Sequence, residues 1–320
     1  MSKGLVTIFG GSGFIGKYVV RALVRDGWRV RVAMRRPHTG LDLKVIGNVG
    51  QVQLVQANLR FPESVEHAVE GSDAVVNLVA VLFESGKQSF EAMHVTGAET
   101  LANVCAAHDI KNLVHISALG ADAESESDYA RTKGEGEALI RSAVPSADIL
   151  RPSIVFGPED NFFNQFAAMT SFAPALPLIG GGGTKFQPIF AGDVAEAVAA
   201  CLKNGTKGET YGLGGPQTYT FKELLEFVLT TVDRKRLLLP VPWFAANAMG
   251  FAGELSGAVP FVAPFLTRDQ VKLLKVDNVV PEGMKSADDL GVKLETVEAI
   301  VPGYLARYRH HGQFHERQAN

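Results

Sequence analysis

The stretch "VTIFGGSGFIGKYVV", residues 6–20, decides the fold. A run of β-branched and aromatic residues stops at Gly10, Gly13 and Gly16 follow at intervals of three, and an amphipathic pattern then begins. A strand, a glycine turn and a helix in that order suit a dinucleotide. The turn must be tight, the backbone must approach a pyrophosphate, and the helix must pack close to the strand; side chains would obstruct each of these. The helix start then offers unpaired N–H groups and a partial positive charge to phosphate. Ser12, Phe14 and Ile15, between and beside the glycines, are expected in the same site. A glycine turn without a ligand is the alternative, and the strand, the helix and the N-terminal position argue against it.

Outward from this turn the first half alternates short apolar runs with amphipathic ones. Residues 5–10, 29–35, 52–58, 74–80, 112–118 and 147–153 read as strands. Between them "GKYVVRALVRDG", "PESVEHAVEG", "AETLANVCAAHD" and "YARTKGEGEALIRSA" have helical spacing. Such alternation predicts an α/β fold: a doubly wound parallel-sheet Rossmann domain with a small C-terminal lobe. The rhythm breaks after residue 157, which divides the chain into a dinucleotide-binding core, 1–157, and a remainder, 158–320. That remainder is expected to complete the sheet at about 183–204, with Asp193 at a helix N-cap, and then to form a smaller substrate or docking lobe.

Composition narrows the class. The 320 residues are 46% hydrophobic and 20% charged with a net charge of -3, an ordinary globular balance that speaks against nucleic acid as a partner. Cys105 and Cys201 stand far apart among small apolar residues, as buried reduced thiols do. No signal peptide precedes the first strand pattern, so a cytoplasmic protein is expected. The segment 237–266 carries one charge, Glu254, but four prolines and three glycines interrupt it, which excludes a transmembrane helix. It reads either as core and lid of the small lobe or as an apolar docking surface for a partner.

The second strand addresses cofactor choice. An acid about 20 residues after the glycine turn holds the ribose 2′-OH of NAD. Arg35 and Arg36 occupy that place here. A guanidinium suits a 2′-phosphate, so NADP(H) is expected over NAD(H), with Arg35 the stronger candidate.

Further along, "SDYARTKGEGE", residues 127–137, sets Tyr129 one helical turn before Lys133 on the same face. With the glycine turn and this Tyr-x-x-x-Lys, the chain resembles the extended and atypical short-chain dehydrogenase/reductase family, in its NAD-dependent epimerase/dehydratase branch. "QANLR" resembles the family's adenine-side turn, which implies that Asn58 and Leu59 line the cofactor. "NLVA" resembles the loop after the fourth strand, implying Val79 and Ala80, and "LRPSIVFGP" the segment passing the nicotinamide, implying Pro152 and Ile154.

In active members of that family the tyrosine is the acid/base, the lysine lowers its pKa and holds the ribose, and a hydroxyl at the end of the fifth strand polarises the substrate. Aligned on "HISALGA", Ser117 takes the first place of that hydroxyl run, Ala118 the second and Leu119 the third. Leu119 can neither donate nor accept, and Ser125 and Ser127 are the conceivable substitutes. Tyr129 and Lys133 thus read either as the acid/base pair or as a cofactor clamp.

A narrower likeness, carried by "HISALGAD", "SDYARTKGEGE", "LRPSIVFGPEDNFFNQFA" and "LPLIGGGGTKFQPIFAGDVAEAV", is to the nucleotide-binding accessory subunits of respiratory complex I and their alphaproteobacterial homologues. That resemblance implies a tightly held NADP(H), a mainly structural role and a peripheral place on the cytoplasmic side of the inner membrane, or the matrix side in a mitochondrion. The alternative is a free-standing NADP-dependent reductase, epimerase or dehydratase. No metal is expected: His310, His311 and His315 lack a supporting carboxylate or cysteine framework. His94 and His115 read as packed histidines.

Overall fold

All five residues of β1 (Leu5–Phe9) are buried, as are all four of β4 (Ala74–Asn77). Continuous apolar runs of this kind belong to parallel strands covered on both faces. The computed structural model describes residues 3–257 and 264–314. Strands and helices are numbered along the chain.

The chain divides into two units, the first comprising residues 1–152, 191–213 and 280–293. Its sheet contains β1, β2 (Arg29–Met34), β3 (Val52–Gln56), β4, β5 (Asn112–Ile116), β6 (Asp148–Pro152) and β11 (Thr210–Leu213), in the order β11-β6-β5-β4-β1-β2-β3. Every pairing is parallel. The chain runs outward from β1 through β2 to β3, then crosses to β4 on the other side of β1. That reversal makes the carboxyl ends of β1 and β4 the topological switch point, where open α/β sheets bind ligands.

Side chains alternate across the sheet. Phe9, Ala33, Val75 and Leu113 join one core with Val65 and Val69 of α2 (Pro62–Val69), Leu101 of α3 (Thr96–Ala107) and Ile140 of α4 (Asp128–Ala143). Ile8, Val32, Val76 and Val114, one residue out of phase, are buried as well. α1 (Phe14–Arg25) packs on α6 (Ala191–Asn204). The α/β class and parallel sheet expected from the strand–helix rhythm are present.

The second unit comprises residues 153–190, 214–279 and 294–320. It holds β7 (Val155–Phe156) beside β10 (Ile189–Phe190), β9 (Lys185–Phe186) beside β12 (Tyr219–Thr220), and β8 (Ala175–Ile179) beside β13 (Leu237–Val241). Its helices are α5 (Phe162–Met169), α7 (Phe221–Thr231), α8 (Trp243–Gly257), α9 (Arg268–Leu273) and α10 (Val297–Leu305). The core is rich in phenylalanine: Phe166 and Phe221 meet edge to face with centroids 5.6 Å apart, and Phe162 meets Phe221 at 6.2 Å. Capping boxes at Thr220/Glu223 and Thr267/Gln270 satisfy N–H groups that would otherwise lack partners at the starts of α7 and α9.

The observed division differs from the sequence expectation. The first unit's leading segment ends at Pro152 rather than at 157, and the chain returns as Ala191–Leu213 rather than at about 183–204, with Val280–Lys293 besides. The four-residue β11 is too short to give a periodic signal. Asp193 is not the N-cap of α6: the helix begins at Ala191, which puts the carboxylate inside the first turn, where the helix dipole favours it. No helix among the described residues is long and apolar enough to cross a membrane.

Candidate functional site

The glycine turn sits at the switch point, and each glycine has its own reason. Gly10 has φ +82°, a left-handed conformation that other residues adopt at a cost, and a Cβ there would stand 3.0 Å from the Leu78 carbonyl carbon. A Cβ on Gly16 would stand 2.3 Å from the Gly10 carbonyl oxygen and 2.6 Å from the Gly11 Cα, so this glycine lets α1 lie against the turn. Gly13 is the N-cap, extended, and no side chain caps the N–H groups that follow it. Gly11, which sequence reasoning passed over, belongs with them: a Cβ there would stand 2.9 Å from Val32 Cγ1 of β2. Ser12, Phe14 and Ile15 are half-buried around the turn.

Arg35 and Arg36 follow β2 directly and are exposed. The Arg35 guanidinium donates to Gln88 Oε1 at 2.9 Å, and the Arg36 carbonyl accepts from Thr39 as the chain turns into residues 37–45. After β3, Asn58 Oδ1 accepts the Arg60 N–H at 3.2 Å, while the Asn58 N–H donates to Ser64 Oγ. Asn58 therefore shapes the turn that leads into α2. Leu59 is buried beside Gly97. After β4, the N–H of half-buried Val79 donates to Asn77 Oδ1 at 3.1 Å, and Ala80 is exposed.

Lys133 is 2% exposed, and its ammonium donates to the Ile116 carbonyl at 2.8 Å. Burial lowers its pKa to about 8, against the raising influence of Glu137 one turn along. Tyr129 is half-buried, and burial pushes its phenol up to about 12. The chain by itself thus moves the phenol away from neutrality. The Ser117 hydroxyl is buried and has no hydrogen-bond partner among the described residues. Leu119 is buried, and its N–H donates to the Pro152 carbonyl at 2.9 Å, continuing the β5–β6 ladder in the manner of Ser117 with Leu150. Ile154 belongs to the second unit, half-buried against the phenylalanine core.

His94 surrounds this pair more closely than its sequence position suggests. It lies in a single π-helical turn, Glu91–Val95, at the head of α3. Its Nε2 accepts the Val81 N–H at 3.1 Å, so the neutral ring carries its proton on Nδ1 and donates to Thr132 Oγ1, also at 3.1 Å. Burial and the Lys133 charge hold its pKa down to about 3. The ring stacks on Phe90 and meets Tyr129 edge-on, at 5.4 Å in both cases. His115 is a satisfied core residue, its Nδ1 bonded to the Asn77 amide.

Residues 6–214 match the NAD dependent epimerase/dehydratase family. The chain belongs to that family. Its relatives include the 40 kDa subunit of NADH-ubiquinone oxidoreductase from Neurospora crassa, 32% identical over 95% of this chain and 79% of that protein. Another is the mouse NADH dehydrogenase [ubiquinone] 1 alpha subcomplex subunit 9, 32% identical over 97% of this chain and 81% of that protein. Among solved structures, a dTDP-glucose 4,6-dehydratase from Streptomyces venezuelae with NAD bound superposes with a TM-score of 0.69 at 19% identity, covering 95% of this chain and 96% of that one, a likeness of fold alone.

The residues present fit the nicotinamide dinucleotide that this family binds. Gly10, Gly13 and Gly16 leave the turn bare where side chains would fill it, and the partnerless Ser117 hydroxyl awaits an acceptor or donor. Sequence reasoning missed His94 as a brace, Thr132 as its partner and Gln88 against Arg35. It also missed the glycines of "TKGEGE": a Cβ on Gly134 would meet the Ala123 nitrogen at 2.4 Å, and one on Gly136 the His94 carbonyl oxygen at 2.2 Å. Those two glycines were visible as breaks in a helical pattern, a known sign of close packing. Among the described residues no His, Cys, Asp and Glu side chains are grouped as metal ligands would be; the His310 and His311 rings lie tilted against each other, 4.6 Å between centroids, and His315 lies outside the described residues.

Proposed function

We propose that the chain is an NADP(H)-holding peripheral accessory subunit of a complex I-type NADH:quinone oxidoreductase, with a stabilising role and little or no turnover. The observation that carries this reading is the 32% identity to the 40 kDa subunit across 95% of the chain. In it, Gly10, Gly13 and Gly16 cradle the pyrophosphate, Arg35 with Arg36 grips the 2′-phosphate, and Asn58 and Leu59 flank the adenine. Val79, Ala80, Ser117 and Pro152 line the remaining path, and Tyr129 with Lys133 holds the nicotinamide ribose. The bound dinucleotide would supply hydride chemistry. Leu119 in the place of a polarising hydroxyl, and a phenol raised to about 12, support retention over reaction. Loss of one such donor costs roughly a hundredfold or more in rate.

The partner surface in this reading lies on β13 and α8. Leu237, Leu239, Phe244, Phe251 and Leu255 are each more than half exposed, an apolar face that suits another subunit on the cytoplasmic or matrix side of the membrane. Residues 258–263 of the expected 237–266 docking segment lie outside the described residues.

Gentle membrane solubilisation followed by sizing tests the proposal. The chain should migrate with a large flavin- and iron-containing assembly, and Tyr129→Phe should leave both assembly and bound NADP(H) unchanged. Migration alone, in an organism that has the assembly, would sink the reading. The rival, a free-standing NADP-dependent reductase, epimerase or dehydratase, draws on the intact Tyr129–Lys133 pair. It requires a substrate turnover that disappears in Tyr129→Phe.

A further inference from the structure

Two walls of the site meet on one buried side chain. The segment that leaves β4, residues 77–81, is held at both ends. At its start Asn77 Oδ1 accepts the Val79 N–H, and the Asn77 amide is bonded to His115. At its end the Val81 N–H donates to His94 Nε2 at 3.1 Å. The other nitrogen of the same ring reaches Thr132 Oγ1 on α4, 38 residues further along the chain. His94 and Thr132 are 2% and 1% exposed, so water stands in for neither bond.

These bonds run in one direction. A backbone N–H only donates, so Nε2 is bare and the ring proton sits on Nδ1. Nδ1 therefore donates to Thr132, and that hydroxyl keeps its own hydrogen for the Asp128 carbonyl at 2.8 Å, in the first turn of α4. A doubly protonated ring would set one N–H against another at Val81. Ring contacts add to the bonds: His94 stacks on Phe90 and meets Tyr129 at right angles, and Phe90 meets Tyr129 edge-on at 5.8 Å. The backbone is placed as firmly. His94 lies in the π-helical turn, a local widening that recurs at functional sites, and α4 passes so close that a Cβ on Gly136 would stand 2.2 Å from its carbonyl oxygen.

We propose that His94 is a positioning residue for the nicotinamide half of the dinucleotide, its neutral imidazole fixing residues 79–81 and the Tyr129 turn relative to each other. The inference rests on the dinucleotide reading above. Walls already in place need less ordering when a ligand arrives, which is worth affinity. The adenosine-side residues have partners of their own, Gln88 for Arg35 and Ser64 with Arg60 for Asn58, so that half binds without His94.

Calorimetric titration of nucleotide-free protein with NADPH and with 2′,5′-ADP, the adenosine half alone, tests this. A merely structural histidine would affect both ligands alike. His94→Phe keeps an aromatic ring but strands the Val81 N–H. NADPH affinity should fall about tenfold or more, the scale of a buried donor left unpaired, and 2′,5′-ADP affinity should stay within about twofold. His94→Gln, whose amide oxygen can again accept from Val81, should recover most of the loss. Thr132→Val keeps its side-chain shape and removes the hydroxyl; it should shift the ratio of the two affinities in the same direction, and it serves if His94→Phe does not fold. In the unaltered chain with 15N-labelled histidine, the His94 ring should show a protonated Nδ1 and a bare Nε2 at pH 7. Matched losses for the two ligands, undiminished NADPH affinity in the variants, or a protonated Nε2 would overturn the proposal. An unaltered chain that binds neither ligand would instead overturn the dinucleotide reading, and this assignment with it.

Discussion

The Lys133 ammonium is bonded to the carbonyl of Ile116, tying α4 to the last residue of β5 at 2.8 Å. One main-chain oxygen is a modest partner for a buried charge, and the pKa falls from 10.5 to about 8. Between those values the unfolded chain holds a proton that the folded chain has released, so this group makes stability rise with pH. The whole shift is worth at most about 3 kcal/mol. Tyr129, raised from 10.0 to about 12, acts oppositely and only above pH 10. Urea unfolding at pH 7.5 and 9.0 should therefore show a gain in stability for the unaltered chain that Lys133→Met lacks. Equal pH slopes in the two proteins would refute the buried-lysine assignment.

The glycines of the turn separate stability from ligand binding. Gly16→Ala drives a Cβ into the Gly10 carbonyl and Gly11 backbone, neither of which can move aside cheaply. It should cost about 1–3 kcal/mol of folding stability. Gly13→Ala meets only the Gly10 oxygen, at 3.3 Å, from a backbone conformation open to any residue. It should change the thermal midpoint little while weakening dinucleotide binding. Melting curves with and without NADPH distinguish the two, and a matched loss of stability in both variants would contradict the geometry.

Arg151 and Glu137 form a two-point ion pair, with Nε to Oε1 at 2.9 Å and Nη2 to Oε2 at 2.6 Å, on a carboxylate that is 5% exposed. Arg151→Met strands that charge and should cost about 3 kcal/mol or more. The double variant Arg151→Met/Glu137→Leu should recover most of the loss. Chemical denaturation of the single and double variants measures this, and additive losses would show that the pair is not the cause.

Arg35 is the residue on which the NADP(H) preference rests. Arg35→Asp replaces the guanidinium by the acid that a ribose 2′-OH prefers. NADPH affinity should fall roughly tenfold to hundredfold relative to NADH, the scale of a lost charge-assisted bond. Calorimetric titration with both nucleotides decides the matter. Equal losses for the two would remove Arg35 from the 2′-phosphate.

Much of this protein was legible in its residues. Six strands of the first sheet stand where the sequence runs placed them: β1, β4, β5 and β6 because a strand buried on both faces shows as a continuous apolar run, β2 and β3 because their apolar residues alternate with polar ones. The glycine turn was legible because φ +82° at Gly10 and contact under 3 Å at Gly16 admit only one residue type. The Tyr129–Lys133 spacing was legible because helical periodicity is local.

What escaped depends on groups far apart in the chain. His94 and Thr132 are 38 residues apart, and Arg151 finds Glu137 only once β6 lies beside β5 and α4 crosses above. The direction of the Lys133 and Tyr129 shifts also lay beyond the motif, since burial, the dominant cause in both, arises from everything packed around them. Local steric and periodic rules wrote the sheet and the turn into the sequence. Desolvation and long-range hydrogen bonding, which exist only after the chain has closed on itself, decided how the site is braced and charged.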